Sequence, residues 1–357
     1  MPGTLSAQMK LLSPSLPPLL RLRRLFVRGS ALTRSTEYVQ GVLGTSLEIQ
    51  VLAHSQTEGQ AAIRAALNEI ERLEHVFSRF DPHSELNRWL SDLSLRPSEE
   101  LSSLLRRAEE WRSLTGGAFH PGSEALTQLW RDAEQQTLSP ENAAPGPDEA
   151  ALSRVLERLN SPVWSEEDSW RPALPLNLNA FAKGYIVDRA AQAAYSVLQP
   201  GSAAEVLVNI GGDLRHIAAP NRGPGIGGVP VNVMNPRTPY DNAAPLTQIQ
   251  LQGQGLATSG GAFRGFVIGG TRASHVLDPR SGRPVEHVIS ASVLAPTCAD
   301  ADALATAFSV LGPSESLALA EQLPGVSCLL VLADGQQQRS REFPPPSLAA
   351  DQSLTSD

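Results

Sequence analysis

Between residues 59 and 77 the apolar side chains Ile63, Ala66, Leu67, Ile70, Leu73 and Phe77 recur at intervals of three and four, which predicts an amphipathic helix. Asp81-Pro82 breaks the pattern. A second stripe, Leu101, Leu104, Leu105, Ala108 and Trp111, predicts a helix over 98–114 that Gly116-Gly117 closes. Further helices are expected over 182–198, 299–311 and 314–323. Runs of β-branched residues between turn signals predict strands at 45–53, 205–210, 229–234, 246–251, 265–268, 290–294 and, last, 327–332. Residues 163–178 read as a hairpin, and 134–150, rich in Pro, Gln, Asn and acids, as an exposed loop. The elements come in blocks rather than in strict alternation, so an α+β fold is expected and a doubly wound parallel sheet is not.

Composition adds limits to this picture. The 357 residues are 41% hydrophobic and 18% charged, which is globular and fits two domains or one large domain of two halves. The net charge is −8, but Lys10, Arg21, Arg23, Arg24, Arg28 and Arg34 lie in a first segment without acids, so the remainder carries −14. Such a balance excludes a nucleic-acid binder. Residues 1–37 read as a basic flexible arm, 38–343 as one domain of two lobes, and 344–357 as a disordered tail. No run is long and apolar enough for a transmembrane helix. Pro14, Pro17 and Pro18 spoil a signal peptide, and no cysteine near the N-terminus could take a lipid, so the compartment stays open between cytoplasm and periplasm. Cys298 and Cys328 are expected to be free buried thiols.

Candidate chemistry is spread along the chain. Gly223, Gly225 and Gly228 satisfy G-x-G-x-x-G but neither follow a strand nor open a helix, so they read as an ordinary loop. The run 177–188 (NLNAFAKGYIVD) is expected to pass from a strand end into a helix start, where Lys183 either reaches an anion or is a solvated first-turn lysine. Residues 209–213 (NIGGD) and 257–261 (ATSGG) suit either plain turns or loops that wrap a ligand. His275 is expected at a strand end before Asp278-Pro279. Asp302 and Thr306, four apart on one helix face, offer two hard oxygen ligands of the kind that suits Mg²⁺ with substrate phosphates; helix stabilisation by Asp302 and packing of Thr306 is the alternative.

Taken together and in order, Leu43-Gly44-Thr45, Phe77 to Asp81 with Ser84 to Asn87, Gly117 to Phe119, Ala180 to Asp188, Asn209 to Asp213, Ala257 to Gly260, His275 to Gly282 and Ala301 to Thr306 resemble the FAD:protein FMN transferase family (ApbE). The resemblance runs from about Gly41 to Leu332. It implies a two-lobed α+β fold, with mixed sheets and packed helices around a central FAD cleft. It also implies Mg²⁺-dependent cleavage of FAD, with FMN moved to a Thr or Ser of an acceptor flavoprotein and AMP released. By position, Asp302, Thr306 and the carbonyl of Ala180 would bind the metal, and Lys183 the pyrophosphate. Leu43, Phe80, Ala118, Phe119, His120, Asn177 and Val276 would contact the nucleotide. His275 and Asp302 are the candidates for general base.

The chain departs from the family pattern in places. Leu43 stands where Met is usual, His120 and Asn177 where Asp is usual, and Asn179 and Gly261 also differ. The proposed ligand side chains and Lys183 remain, so retained catalysis is expected. The same pocket would serve FAD storage, or Mg²⁺-dependent hydrolysis of FAD to FMN and AMP.

Overall fold

A computed structural model describes residues 32–345 except 93, 138–145, 162, 165–171, 173, 179–180, 200–203, 220–227, 239–242, 261–264 and 269. Residues 1–31 of the arm, 346–357 of the tail, Ala180, Asn179, Gly223, Gly225 and Gly261 therefore lie outside the described residues.

The chain opens with β1 (Thr33–Val42) and β2 (Thr45–Ala53), followed by five helices: α1 (Gln56–Phe77), α2 (Glu85–Ser91), α3 (Glu99–Leu114), α4 (Glu124–Thr137) and α5 (Glu149–Leu159). Next come α6 (Ala182–Ser196), β3 (Glu205–Ile210), β4 (Asp213–Ala218), β5 (Val229–Val233), β6 (Thr247–Leu251), β7 (Gly255–Gly260), β8 (Gly265–Ile268), β9 (Thr271–Ser274) and β10 (Val288–Ala295). The chain closes with α7 (Cys298–Val310), α8 (Pro313–Gln322), β11 (Ser327–Leu332) and β12 (Gln337–Arg339).

Eight strands form one sheet in the order β1-β2-β3-β4-β7-β10-β11-β12, antiparallel at every neighbouring pair. Chain order is thus kept across the sheet, and the hairpins β5-β6 and β8-β9 are excursions from it. The α+β class holds, while the expectation of mixed sheets is corrected: every neighbouring pair is antiparallel, and in β1-β2, β3-β4 and β11-β12 the short connecting turn requires that pairing.

Side-chain alternation assigns the two faces. Leu47, Ile49, Val51 and Ala53 of β2 point to a core shared with α1, α3, α6 and α7. On the other face Leu207, Leu214, Leu256, Leu294 and Leu329 pack under the β5-β6 hairpin through Val229, Val231, Val233, Ile249 and Leu251. A third cluster joins α4 and α5 to β8 through Leu126, Trp130, Leu152, Leu159, Phe266 and Ile268.

Several sequence expectations are corrected. Strand β1 takes in residues 33–37, which sequence had placed in the arm, because pairing with β2 occupies their backbone groups. Residues 257–260 belong to strand β7 rather than to a loop. The first residue of that strand lies close against α7: a Cβ on Gly255 would lie 2.3 Å from the Cys298 backbone nitrogen. No strand forms among the described residues of 163–178, so neither the hairpin there nor a strand leading into α6 is found. Helices α4 and α5 enter the stretch read as loop. Cys298 and Cys328 are free and buried, as expected.

Candidate active site

Two acids and a lysine meet where α6, α7 and the β3-β4 turn converge. Gly211 (φ 60°) and Gly212 (φ 96°) form a two-residue turn with both residues left-handed, which reverses the chain tightly and brings Asp213 back into the sheet. There Asp213 is buried, and its Oδ2 lies 2.7 Å from the Nζ of Lys183 in the first turn of α6. Burial opposes the Lys183 charge, yet Asp213 and Asp302 outweigh it and hold the ammonium above its ordinary pKa. Lys183 is therefore a paired cation rather than a solvated one.

Asp302 sits on α7, buried, with Oδ2 accepting from Gly184 N at 3.3 Å. Burial, reinforced by the neighbouring Asp213, pushes its carboxyl up to about 8. A carboxylate so placed gains from a cation beside it. One turn along, Thr306 is the only residue of α7 beyond Asp300 that is not fully buried, and it opens onto a cleft. A buried carboxylate and a hydroxyl one turn apart form a hard-oxygen set that fits Mg²⁺. Among the described residues no cluster of three His, Cys, Asp or Glu forms a metal cage, so backbone and substrate oxygens would complete the shell.

The cleft, of about 210 Å³, lies between the β7–α7 body and the α4 unit. It brings together Ala118, Phe119, His120, Asn177, His275, Val276 and Thr306 from the sequence candidates. It also adds Ser123 just before α4, Thr127 of α4, Ser259 of β7, Leu277, Pro279 and Val310. Of these, Ser259 falls in the marked segment 257–261, while the hydroxyls of Ser123 and Thr127 carry no sequence signal. Asp302 and Lys183 stand behind this lining rather than in it.

His120 is a brace. Its Nδ1 accepts from Gly122 N at 3.0 Å and its Nε2 meets the Leu159 carbonyl at 2.9 Å, which fixes the neutral tautomer with hydrogen on Nε2. Burial pushes its pKa down to about 4, with Arg112 adding to the effect. Phe119 is a core residue, edge-on to Trp111 and Phe181. Asn177 donates its backbone N–H to Pro121 O at 2.7 Å and its Nδ2 to Ser123 Oγ at 3.4 Å.

Phe80 and Leu43 lie outside the cleft lining. Phe80 is 85% exposed on a loop wound by Ser78, Ser84 and Asn87: Asn87 Nδ2 donates to the carbonyls of Ser78 and Asp81. Leu43 has φ 49° in the β1-β2 turn, a left-handed conformation costly for a leucine. That turn adjoins the β3-β4 turn, where a Cβ on Gly211 would lie 2.7 Å from Thr45.

The sequence profile of the ApbE family matches residues 43–330. The FAD:protein FMN transferase of Treponema pallidum is 29% identical over 337 residues, covering 87% of this chain and 88% of that protein. That of Escherichia coli K12 is 26% identical over 274 residues, covering 75% of each. Among solved structures, the ApbE protein of Thermotoga maritima superposes with a TM-score of 0.67 at 29% identity, over 87% of this chain and 97% of that one. The apo flavinyl transferase ApbE of Pseudomonas stutzeri, at 24% identity and TM-score 0.65 over 87% and 95%, shares the fold.

Proposed function

Since the chain belongs to the ApbE family, we propose that it is an FAD:protein FMN transferase that joins FMN through a phosphoester to a Thr or Ser of an acceptor flavoprotein. The observation that carries this reading is the juxtaposition of the Lys183–Asp213–Asp302 cluster with a neutral cleft into which Thr306 opens. The polarity suits a ligand with an anionic middle and uncharged rings.

The acceptor hydroxyl oxygen forms a bond to the FMN phosphorus, the bond from that phosphorus to the AMP oxygen breaks, and the hydroxyl proton passes to His275. The half-buried His275 lines the cleft, and an imidazole is suited to take a proton near neutrality. Lys183 offsets the pyrophosphate charge while Asp213 aims its ammonium. Asp302, Thr306 and the Ala180 carbonyl would hold Mg²⁺, which when bound would supply positive charge to the phosphoryl oxygens and the departing AMP. His120, kept neutral, and Asn177 leave the nucleotide end of the cleft without a carboxylate.

The test is to incubate the protein with FAD, MgCl₂ and an acceptor flavoprotein and to weigh the acceptor by mass spectrometry. Covalent FMN supports transfer. Free FMN and AMP without adduct would make the protein an FAD hydrolase, and FAD bound but intact would make it a carrier.

A further inference from the structure

Helix α7 carries both proposed metal ligands, and its first turn is held from outside. Thr297 Oγ1 accepts from Asp300 N at 3.1 Å and the Thr297 carbonyl takes the first intrahelical bond from Ala301 N at 3.1 Å, so of the N–H groups of residues 298–301 two are satisfied locally. The other two go to a different helix. Asp188 of α6 accepts from Cys298 N at 2.8 Å through Oδ1 and from Ala299 N at 2.9 Å through Oδ2. Arg215 of β4 lies beside the same carboxylate, Nε to Oδ1 3.4 Å, and also donates to the carbonyls of Gly253 and Pro296.

Close approach on two sides completes the clamp. A Cβ on Gly184 would lie 2.6 Å from Cys298 O, and one on Gly255 2.3 Å from Cys298 N. The glycines let α7 come near α6 and β7 but do not stop it sliding along its axis. A slide of one residue is about 1.5 Å, enough to break the Gly184 N to Asp302 Oδ2 bond and to carry Thr306 away from its place in the cleft. Thr297 would travel with the helix and cannot prevent this; Asp188 belongs to α6 and can.

We infer that Asp188 is a positioning residue: its carboxylate fixes the axial register of α7 on α6 and so sets where Asp302 and Thr306 stand relative to Lys183. The metal part of this statement rests on the site reading above, whereas the register part does not. The two therefore fail separately in the experiment below.

Asp188→Asn, Thr297→Ala and Arg215→Met are made in the full chain. Each is read by Mn²⁺ binding (electron paramagnetic resonance, no flavin), by quenching of FAD fluorescence without metal, and by hydrogen exchange at the Gly184 amide. Asp188→Asn is expected to weaken Mn²⁺ binding about tenfold, to leave FAD quenching unchanged and to speed Gly184 exchange. Thr297→Ala removes a cap from the same helix and is expected to lower its melting temperature with Mn²⁺ affinity and Gly184 exchange unchanged. Arg215→Met leaves both Asp188 cap bonds and is expected to behave like Thr297→Ala. Equal loss of Mn²⁺ affinity and equal exchange in Asp188→Asn and Thr297→Ala would overturn the inference, since any loosening of α7 would then do. Wild-type exchange at Gly184 in Asp188→Asn would overturn it as well, even if the wild-type protein bound no Mn²⁺; that last result alone would sink the metal site.

Discussion

The Lys183 ammonium lies 2.7 Å from the Asp213 carboxylate, so the cation at the start of α6 is paired within the protein. Asp213→Asn removes the anchor of a lysine whose side chain is 30% exposed. Breaking a buried pair costs 3–5 kcal/mol, and partial exposure puts this one at about 3 kcal/mol. The FAD kcat/KM should fall about tenfold through misaimed charge. Urea unfolding and steady-state kinetics check the two parts, and a variant with wild-type kinetics would show that Lys183 needs no guide.

Asp302→Ala should abolish Mg²⁺-dependent turnover with the circular dichroism spectrum retained. Thr306→Ala should raise the Mg²⁺ half-saturation about tenfold, or about 1.4 kcal/mol, and Thr306→Ser, which keeps the hydroxyl, should restore it. If Ser and Ala behave alike, Thr306 is a packing residue and not a ligand.

Stability should fall as pH drops from 6.5 towards 4. Burial holds His120 at about 4 in the folded chain against an ordinary 6.5. Between those values the unfolded chain binds the extra proton, so unfolding is favoured by acid and stability rises with pH across the window. The full effect is about 3 kcal/mol. Urea midpoints taken across this range should flatten in His120→Gln, and an unchanged slope would point to other groups.

Gly184→Ala sets a methyl 2.6 Å from the Cys298 carbonyl. Overpacking against backbone should cost about 3 kcal/mol and weaken Mg²⁺ by pushing α6 off α7. A melting temperature equal to wild type would mean that the two helices part without penalty.

Much of this molecule could be read from its residues. The α1 stripe from Ile63 to Phe77 is a strict helical repeat, and β2, β3, β8 and β11 match their predicted bounds. What escaped depends on tertiary partners. Strand β4 begins with Asp213 and carries Arg215 and His216, polar residues whose side chains find distant partners: Lys183 pairs with Asp213, Asp188 with Arg215, and the Gly253 N–H donates to His216 Nδ1. Strand β7 has small residues with low strand preference, and α7 demands them. Within the site, the Asp302–Thr306 spacing and the place of Lys183 at a helix start were legible. Their partners Asp213 and Asp188 were not, because a charge pair between distant segments leaves no local periodicity. His120 is expected from the sequence to contact the nucleotide in place of the usual Asp; both its nitrogens are engaged within the protein.

The capping of α7 by Asp188 has a consequence for the nascent chain. Lys183 and its cradle are synthesised well before Asp302 and Thr306, which come late, and β11 must then close onto β10 to complete the sheet behind α7. A ribosome-bound chain that has not yet released this last segment would carry the lysine without Asp302 and Thr306 in place. Competence to break a pyrophosphate would thus arise only once folding nears completion, so a truncated or half-made molecule should spare the cell's flavin pool.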